Sequence, residues 1–439
     1  MSILIPSVVS AVGALSFGAW LYPWPGRRGP ADVELSAEEI AAKAPAELRA
    51  AVFILCDPMQ TDTMLHVVGL ASPEKGFPRL DFYDYDSHGL TVDFQMIGGQ
   101  TLSDWSSEDI GARLADHMGV DQVTATSPAP GWVRLQVRVY DTLADPATAP
   151  EPVHNEVDLE AVPVGVREDG YLWLLRVLYA HILLAGATGS GKGSVLWSII
   201  AGIGPAIKTG LVDVWLADPK GGAEFGRGEK LWVRFEWDED GILRMLNEAV
   251  EVMRARTALM RQTGSRKHIP TKDAPLILIL IDEAAALSSY ATREQQEEFR
   301  RLTGLLLSQG RAAGVSLVAA LQDPSKETMP NRQLFPVRIG LRLDEPTQTT
   351  MVHGQGAKDR GALCDKIPDT TPGVGYVGED GTTEFVRVRA FWVSNDDIDQ
   401  LVQQYAPEQP DLAPQDDYSD FDPDDLGDES TGDDMGEAA

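Results

Sequence analysis

Residues 181–198 read HILLAGATGSGKGSVLWS. The apolar run Ile182–Ala185 predicts a buried strand, and a pattern compatible with a helix begins at Ser194. Between them, Gly186-Ala187-Thr188-Gly189-Ser190-Gly191-Lys192 matches the phosphate-binding P-loop. Glycines at 186, 189 and 191 let the backbone form a nest whose N–H groups point at phosphate oxygens. The following helix adds the partial positive charge of its N-terminus. Lys192 is placed to reach the β- and γ-phosphates. ATP is therefore expected to lie against Gly186, Ala187, Thr188, Gly189, Ser190, Gly191, Lys192, Gly193 and Ser194.

One position departs from the pattern. The residue after the lysine should be Ser or Thr, whose hydroxyl ligates Mg²⁺. Here it is Gly193, followed by Ser194. One residue on a helix turns a side chain by about 100°, so Ser194 serves as the metal ligand only if the helix start shifts. A water in place of the hydroxyl, a substituting Ser194 and impaired hydrolysis all remain open at this point.

A second segment supports the first. Residues 275–287 read PLILILIDEAAAL. Six consecutive aliphatic residues predict a central parallel strand buried on both faces. Asp282 and Glu283 follow at its C-terminal end, where open α/β sheets bind ligands. Asp282 suits the metal, usually through water, and Glu283 suits polarisation of the attacking water.

Composition sets the bounds. A chain of 439 residues predicts two to three domains. Cys56 and Cys364 lie far apart without metal-ligand spacing, which argues against a disulfide scaffold or a zinc site. The net charge of −30 counts against binding nucleic acid through a global basic field. Thirteen of the acids fall in residues 406–439, which contain no Lys or Arg and are too polar to fold. The remainder is still acidic, so any DNA contact must use local basic loops. Residues 2–26 carry no charge, Trp20, Tyr22 and Trp24 suit an interfacial belt, and Arg27 and Arg28 follow. A transmembrane anchor is expected there, with the body in the cytoplasm.

Residues 31–150 predict a small α+β module without a catalytic constellation. GLTVDFQMIG (89–98) and the alternating GWVRLQVRVYD (131–141) read as strands, and residues 103–119 as a helix. Residues 146–152, PATAPEP, resemble a linker. Beyond it, residues 211–222, LVDVWLADPKGG, read as a strand ending at Asp218-Pro219-Lys220. An amphipathic helix from about Asp238 presents Ile242, Met245, Leu246, Ala249 and Met253, and stops at Gly264. A basic loop holds Arg266, Lys267, His268 and Lys272. A further helix, about Arg293–Gln309, leads to the strand Val315–Leu321 and to Gln322, which can sense a γ-phosphate or position water.

Taken in order, HILLAGATGSGKGS, ADPKGG, LILILIDEAAAL, GRAAGVSLVAALQDPS, VRIGLRL and FVRVRAFWVSNDDIDQLV make the chain resemble the FtsK/SpoIIIE family of DNA-pumping ATPases. The GKGS form, the small preceding module and the single anchor look most like transfer proteins of actinomycete conjugative elements. The resemblance implies an α/β architecture: a RecA-like P-loop motor (151–405) after the α+β module (31–150), a transmembrane anchor (1–30) and a disordered acidic tail (406–439). It further implies a homo-hexameric ring, double-stranded DNA in the pore, and ATP with Mg²⁺ between subunits. Arg311 matches the place where related motors carry an arginine finger, with Arg300, Arg338 and Arg342 as alternatives. Residues 266–272 and 326–332 are the candidate DNA-gripping loops. The chromosome-segregating members carry a winged-helix module where this chain has its acidic segment, so sequence-specific loading is expected to need another surface. Two other functions compete: a protein-export ATPase, disfavoured by the single motor module, and a ring subunit that binds ATP without hydrolysing it.

Overall fold

A computed structural model describes residues 36–86, 89–149, 157–379, 381–382 and 385–407. The anchor expected at 1–30 lies outside these residues, as does all but the first two residues of the tail expected at 406–439. Among the described residues no helix is long and apolar enough to cross a membrane.

The small module is built on a four-stranded antiparallel sheet in the order β1-β2-β4-β3. Its strands are β1 (Arg79–Asp86), β2 (Gly89–Gln95), β3 (Gln122–Thr126) and β4 (Trp132–Arg138). Helices α1 (Ala37–Lys43), α2 (Arg49–Cys56), α3 (Pro58–Val68), α4 (Leu102–Ser106) and α5 (Glu108–Met118) complete it. Leu90, Val92, Phe94, Val133, Leu135 and Val137 bury one face of the sheet against Met64, Leu65, Leu114 and Met118. The single helix expected over 103–119 is broken at Ser107, whose hydroxyl accepts from Ile110 N–H and restarts the chain as α5. Arg138 stands at a polar position of the alternating run, yet it is buried and paired with Asp86 at 2.8 Å.

The larger body is a ten-stranded sheet with helices on both faces. The order is β6-β5-β14-β13-β12-β7-β11-β10-β8-β9. Strands β7 (Ile182–Ala185), β8 (Val212–Ala217), β9 (Arg234–Glu236), β10 (Leu276–Ile281), β11 (Val315–Leu321) and β12 (Val337–Leu341) run parallel. Every residue of β7, β10 and β11 is buried, because helices cover the sheet on both sides. Strands β5 (Val162–Arg167), β6 (Leu172–Leu175), β13 (Val374–Glu379) and β14 (Val386–Ala390) extend the sheet antiparallel. One face packs under α6 (Lys192–Lys208) and α10 (Asn395–Tyr405), with Val195, Leu196, Ile199, Ile398 and Tyr405 in its core. The other packs under α7 (Glu239–Thr263) and α8 (Arg293–Gln309), and a short α9 (Pro346–His353) follows β12. The apolar stripe read on α7 faces inward as expected, and Gly264 ends it at φ 72°.

Residues 141–147 pack on this larger body. Arg387 of β14 makes a bidentate pair with Asp141 at 2.7 and 2.8 Å, and Arg389 donates to the carbonyls of Leu143 and Ala144. Trp392 N–H donates to the carbonyl of Ala147 at 2.7 Å. The alternating arginines of this strand therefore point into the protein.

Two buried histidines link this packing to pH. His181 precedes β7 and accepts from Leu317 N–H at Nδ1, 3.1 Å. His353 ends α9 against the edge of Phe385. Burial, then Arg311, lowers His181 to about 3; burial, then Arg338 and Arg360, lowers His353 to about 3. Unfolded histidines take a proton below about 6.5, and these folded ones do not until about 3. The unfolded state then binds more protons, so stability falls as pH drops through that window. Thermal melts should show Tm falling between pH 7 and 5.5, as each histidine removes at most about 1.4 kcal/mol of unfolding free energy per pH unit. The double variant H181Q/H353Q should flatten this slope; an unchanged slope would refute the assignment.

Candidate nucleotide-binding site

Five parallel strands deliver their C-terminal ends to one edge of the sheet. Across that edge, in spatial order, stand Arg342 after β12, the P-loop after β7, Gln322 after β11, Asp282 and Glu283 after β10, and Asp218 after β8. The expected phosphate and acid residues thus converge.

The P-loop is held tightly. Gly191 caps α6 in the left-handed region at φ 95°, so the helix begins at Lys192, two residues earlier than expected. A Cβ on Gly191 would overlap the backbone nitrogen of Gly373, whose N–H donates to the carbonyl of Ser190 at 2.8 Å. Glycine is required there twice, for its conformation and for the close approach. Gly186 N–H donates to Leu321 O and Ala187 N–H to Arg342 O, which ties the loop to β11 and β12. At its tip the Thr188 hydroxyl donates to Gln322 Oε1 at 3.1 Å, and Arg342 Nη2 donates to Thr188 O at 2.8 Å.

Lys192 is 8% exposed, and its Nζ donates to Gly186 O at 2.8 Å. Burial lowers its pKa, and Glu283 opposes this. Glu283 is 7% exposed, and burial raises its pKa against the pull of Lys192. Its Oε2 and the Ser190 Oγ are buried without a hydrogen-bond partner. Buried polar atoms left unpaired are costly, and both fit a ligand that brings its own donors and acceptors. The residues present therefore suit a nucleotide phosphate group.

Beside them Asp282, 1% exposed, accepts from Lys220 Nζ at 2.5 Å. Lys220 also lies 3.8 Å from Glu224. Burial acts to lower the Lys220 ammonium, but Asp282 and Glu224 hold its pKa above the ordinary value. Burial, then the Asp282 charge, raises Glu224. Among the described residues no group of three or more His, Cys, Asp or Glu is assembled to hold a metal. Mg²⁺ needs fewer, since it keeps waters and binds through one or two carboxylates with substrate phosphates.

The segment ADPKGG and the residues just after it add Asp218, Lys220 and Glu224 to the site, three residues beyond those expected from the sequence. The signal was a charged turn at the end of a core strand, the same signal that marked Asp282.

Of the four arginines weighed, Arg342 is the one bonded to its own P-loop. Arg311 is exposed in the turn Arg311–Ala313, before β11. A seven-residue strand separates it from Gln322, roughly 20 Å along the sheet. Arg311 therefore serves a neighbouring copy or none. Arg300 lies exposed on α8, and Arg338 donates to the carbonyl of Phe335. The two basic loops sit at opposite ends of the sheet. Residues 266–272 precede β10, with Lys267 over the Tyr179 ring, whereas 326–332 follow β11 on the nucleotide side.

The model of the FtsK/SpoIIIE family matches residues 147–274. A Streptomyces ambofaciens protein, "Transfer protein TraSA", is 29% identical over 346 residues, 73% of this chain and 80% of that one. "DNA translocase FtsK" of Bacillus cereus is 26% identical over 344 residues, 71% of this chain but 41% of its own length. Among solved structures, the pCW3 conjugation coupling protein TcpA, a monomer form with ATPγS, matches with a TM-score of 0.52. That match has 20% identity and covers 78% of this chain and 97% of that one. The family resemblance read from the motifs holds over these lengths, and the fold is that of an α/β P-loop ATPase.

Replacing Gly191 with Ala tests the P-loop geometry. Strain at positive φ costs on the order of 1–3 kcal/mol, and the overlap with Gly373 adds to it. We expect a lower Tm and at least a tenfold loss of ATP affinity by fluorescence titration; wild-type values for both would refute the geometry.

Proposed function

We propose that this protein is an ATP-dependent double-stranded DNA translocase of the FtsK/SpoIIIE kind, acting in conjugative DNA transfer. The kinship with a transfer protein and with FtsK translocases supports the substrate. The observation that carries the chemistry is the buried, unpartnered Glu283 Oε2, delivered beside Asp282 with the single strand β11 between it and the P-loop strand.

In this reading the P-loop backbone and Lys192 bind the phosphates of ATP. Lys192 leaves the carbonyls of Gly186 and Ala187 to do so. Glu283, held half by the Ala285 N–H at 3.4 Å, orients the attacking water with its free oxygen and takes its proton. Gln322, already bonded to Thr188, senses whether the loop is occupied. Mg²⁺, when bound, would neutralise charge building on the β- and γ-phosphates. Asp282 would hold it from the acidic side of the site. Arg342 stabilises charge from within the chain, and Arg311 fits a finger reaching a neighbour's nucleotide in a hexameric ring of RecA-like motors.

Residues 1–30 anchor the ring in the cell membrane, with the motor in the cytoplasm. The basic loops grip DNA phosphates, so binding is sequence-independent and weakens with salt.

The test is ATP turnover by the full chain, with and without long double-stranded DNA, across a salt series. DNA should stimulate turnover, and the stimulation should fade as salt rises. E283Q should lower turnover roughly 10²–10⁴-fold while ATP still binds. Turnover indifferent to DNA would favour a protein-export ATPase. Tight ATP binding without turnover would make the protein a structural ring subunit.

A further inference from the structure

Gly193 stands where the pattern calls for the metal-binding hydroxyl. A Cβ built on it would overlap Glu224 Oε1, and the next atom met is Glu224 Cδ at 3.5 Å. Outside its own helix turn, that Cβ would meet no other described residue within 4 Å. The space freed by the missing side chain is therefore filled by one carboxylate.

The turn after β8 is built to put it there. The buried Asp218 accepts the N–H of Lys220 at Oδ1, and those of Glu224 and Phe225 at Oδ2, at 3.1–3.3 Å. Phe225 is buried and stacks on Trp197 of α6, with ring centroids 5.2 Å apart. The backbone at 224 is thus pinned to the same helix that begins with Lys192 and Gly193. On its other side Glu224 faces Asp282 across a single ammonium, that of Lys220, at 3.8 and 2.5 Å. Two carboxylates from different strands point at one cation-sized position. The nine-tenths-buried Glu283 adds an unpartnered oxygen within electrostatic reach of both Lys192 and Lys220.

We propose that Glu224 supplies the oxygen that Gly193 lacks. With Asp282 it holds the divalent cation of the bound nucleotide, and Gly193 is the residue that admits it. Lys220 is the resident counter-ion of the two acids, and the metal replaces it. The inference rests on the reading of this site as one for a nucleotide with a divalent cation. Its chemistry is that of a hard cation, which takes carboxylate oxygens readily. Exchanging a neutral hydroxyl for a carboxylate makes the site one charge more negative. Binding of metal-free ATP is thereby disfavoured, and binding of the metal complex is favoured.

The experiment measures two affinities in the full chain. One is for a fluorescent ATP analogue in EDTA. The other is for Mn²⁺ in the presence of that nucleotide, by the electron paramagnetic resonance of free Mn²⁺. E224A should weaken Mn²⁺ at least roughly tenfold and leave metal-free nucleotide binding equal or tighter. G193S/E224A, which restores the hydroxyl and removes the carboxylate, should recover Mn²⁺ affinity. Unchanged Mn²⁺ affinity in E224A overturns the inference while the nucleotide site stands. Loss of metal-free binding in E224A shows a structural role and also overturns it. A Mn²⁺ loss in S194A but not in E224A assigns the ligand to Ser194 instead. Failure of the wild-type chain to bind nucleotide in either condition overturns the proposed function itself.

Discussion

The nucleotide end of the molecule depends on one pairing: β11 lies between β7 and β10 and is hydrogen-bonded in parallel to both. Adjacent strands sit about 4.8 Å apart, so the loop after β7 and the acids after β10 are separated by about 10 Å. That gap is too wide for the loop and the acids to touch and close enough for a phosphate group with its cation to bridge. Gln322 emerges in the middle of it and is already bonded to the P-loop through Thr188. If β11 were an edge strand, the lysine and the acids would be adjacent and would neutralise each other directly.

The same spacing shapes the electrostatics. Asp282, Glu283 and Glu224 bring three carboxylates to one edge of an already acidic chain. Lys192 and Lys220 divide them. Lys220 bonds Asp282 directly, whereas Lys192 is turned onto backbone carbonyls and acts on Glu283 only through space.

Much of this was legible in the sequence. The strands β7, β10 and β11 are uninterrupted aliphatic runs because they are buried on both faces, and such runs admit few other readings. The helix Arg293–Gln309 and the strand Val315–Leu321 fall where expected. Strands β5, β6 and β13 were not legible, since Pro163 and Gly165 interrupt β5, Gly375 and Gly378 interrupt β13, and β6 has four residues without a polar alternation. Alternation of apolar residues with arginines on β4 and β14 is the pattern of a half-buried strand, whose polar side chains face water. The rule failed where a partner exists: Asp86 for Arg138, Asp141 for Arg387, backbone carbonyls for Arg389. Glu224 was hidden for a different reason. Its position is set by hydrogen bonds from the backbone to the Asp218 side chain, and no periodic pattern encodes a turn of that kind.

The seam at residues 141–147 has a mechanical consequence. Arg387 and Arg389 clamp this segment to β14 and Trp392 clamps it two residues beyond the strand, and β14 is paired with β13. The residue before β13 is Gly373, pressed against the P-loop. A load applied to the small module is therefore not absorbed by a slack tether. It passes along β14 to the adjacent β13, one strand over, and so to the backbone of Gly373 beside the P-loop. Gly373 is the shared anchor of strand and loop, since it accepts from Ala390 N–H of β14 and donates to Ser190 O of the P-loop.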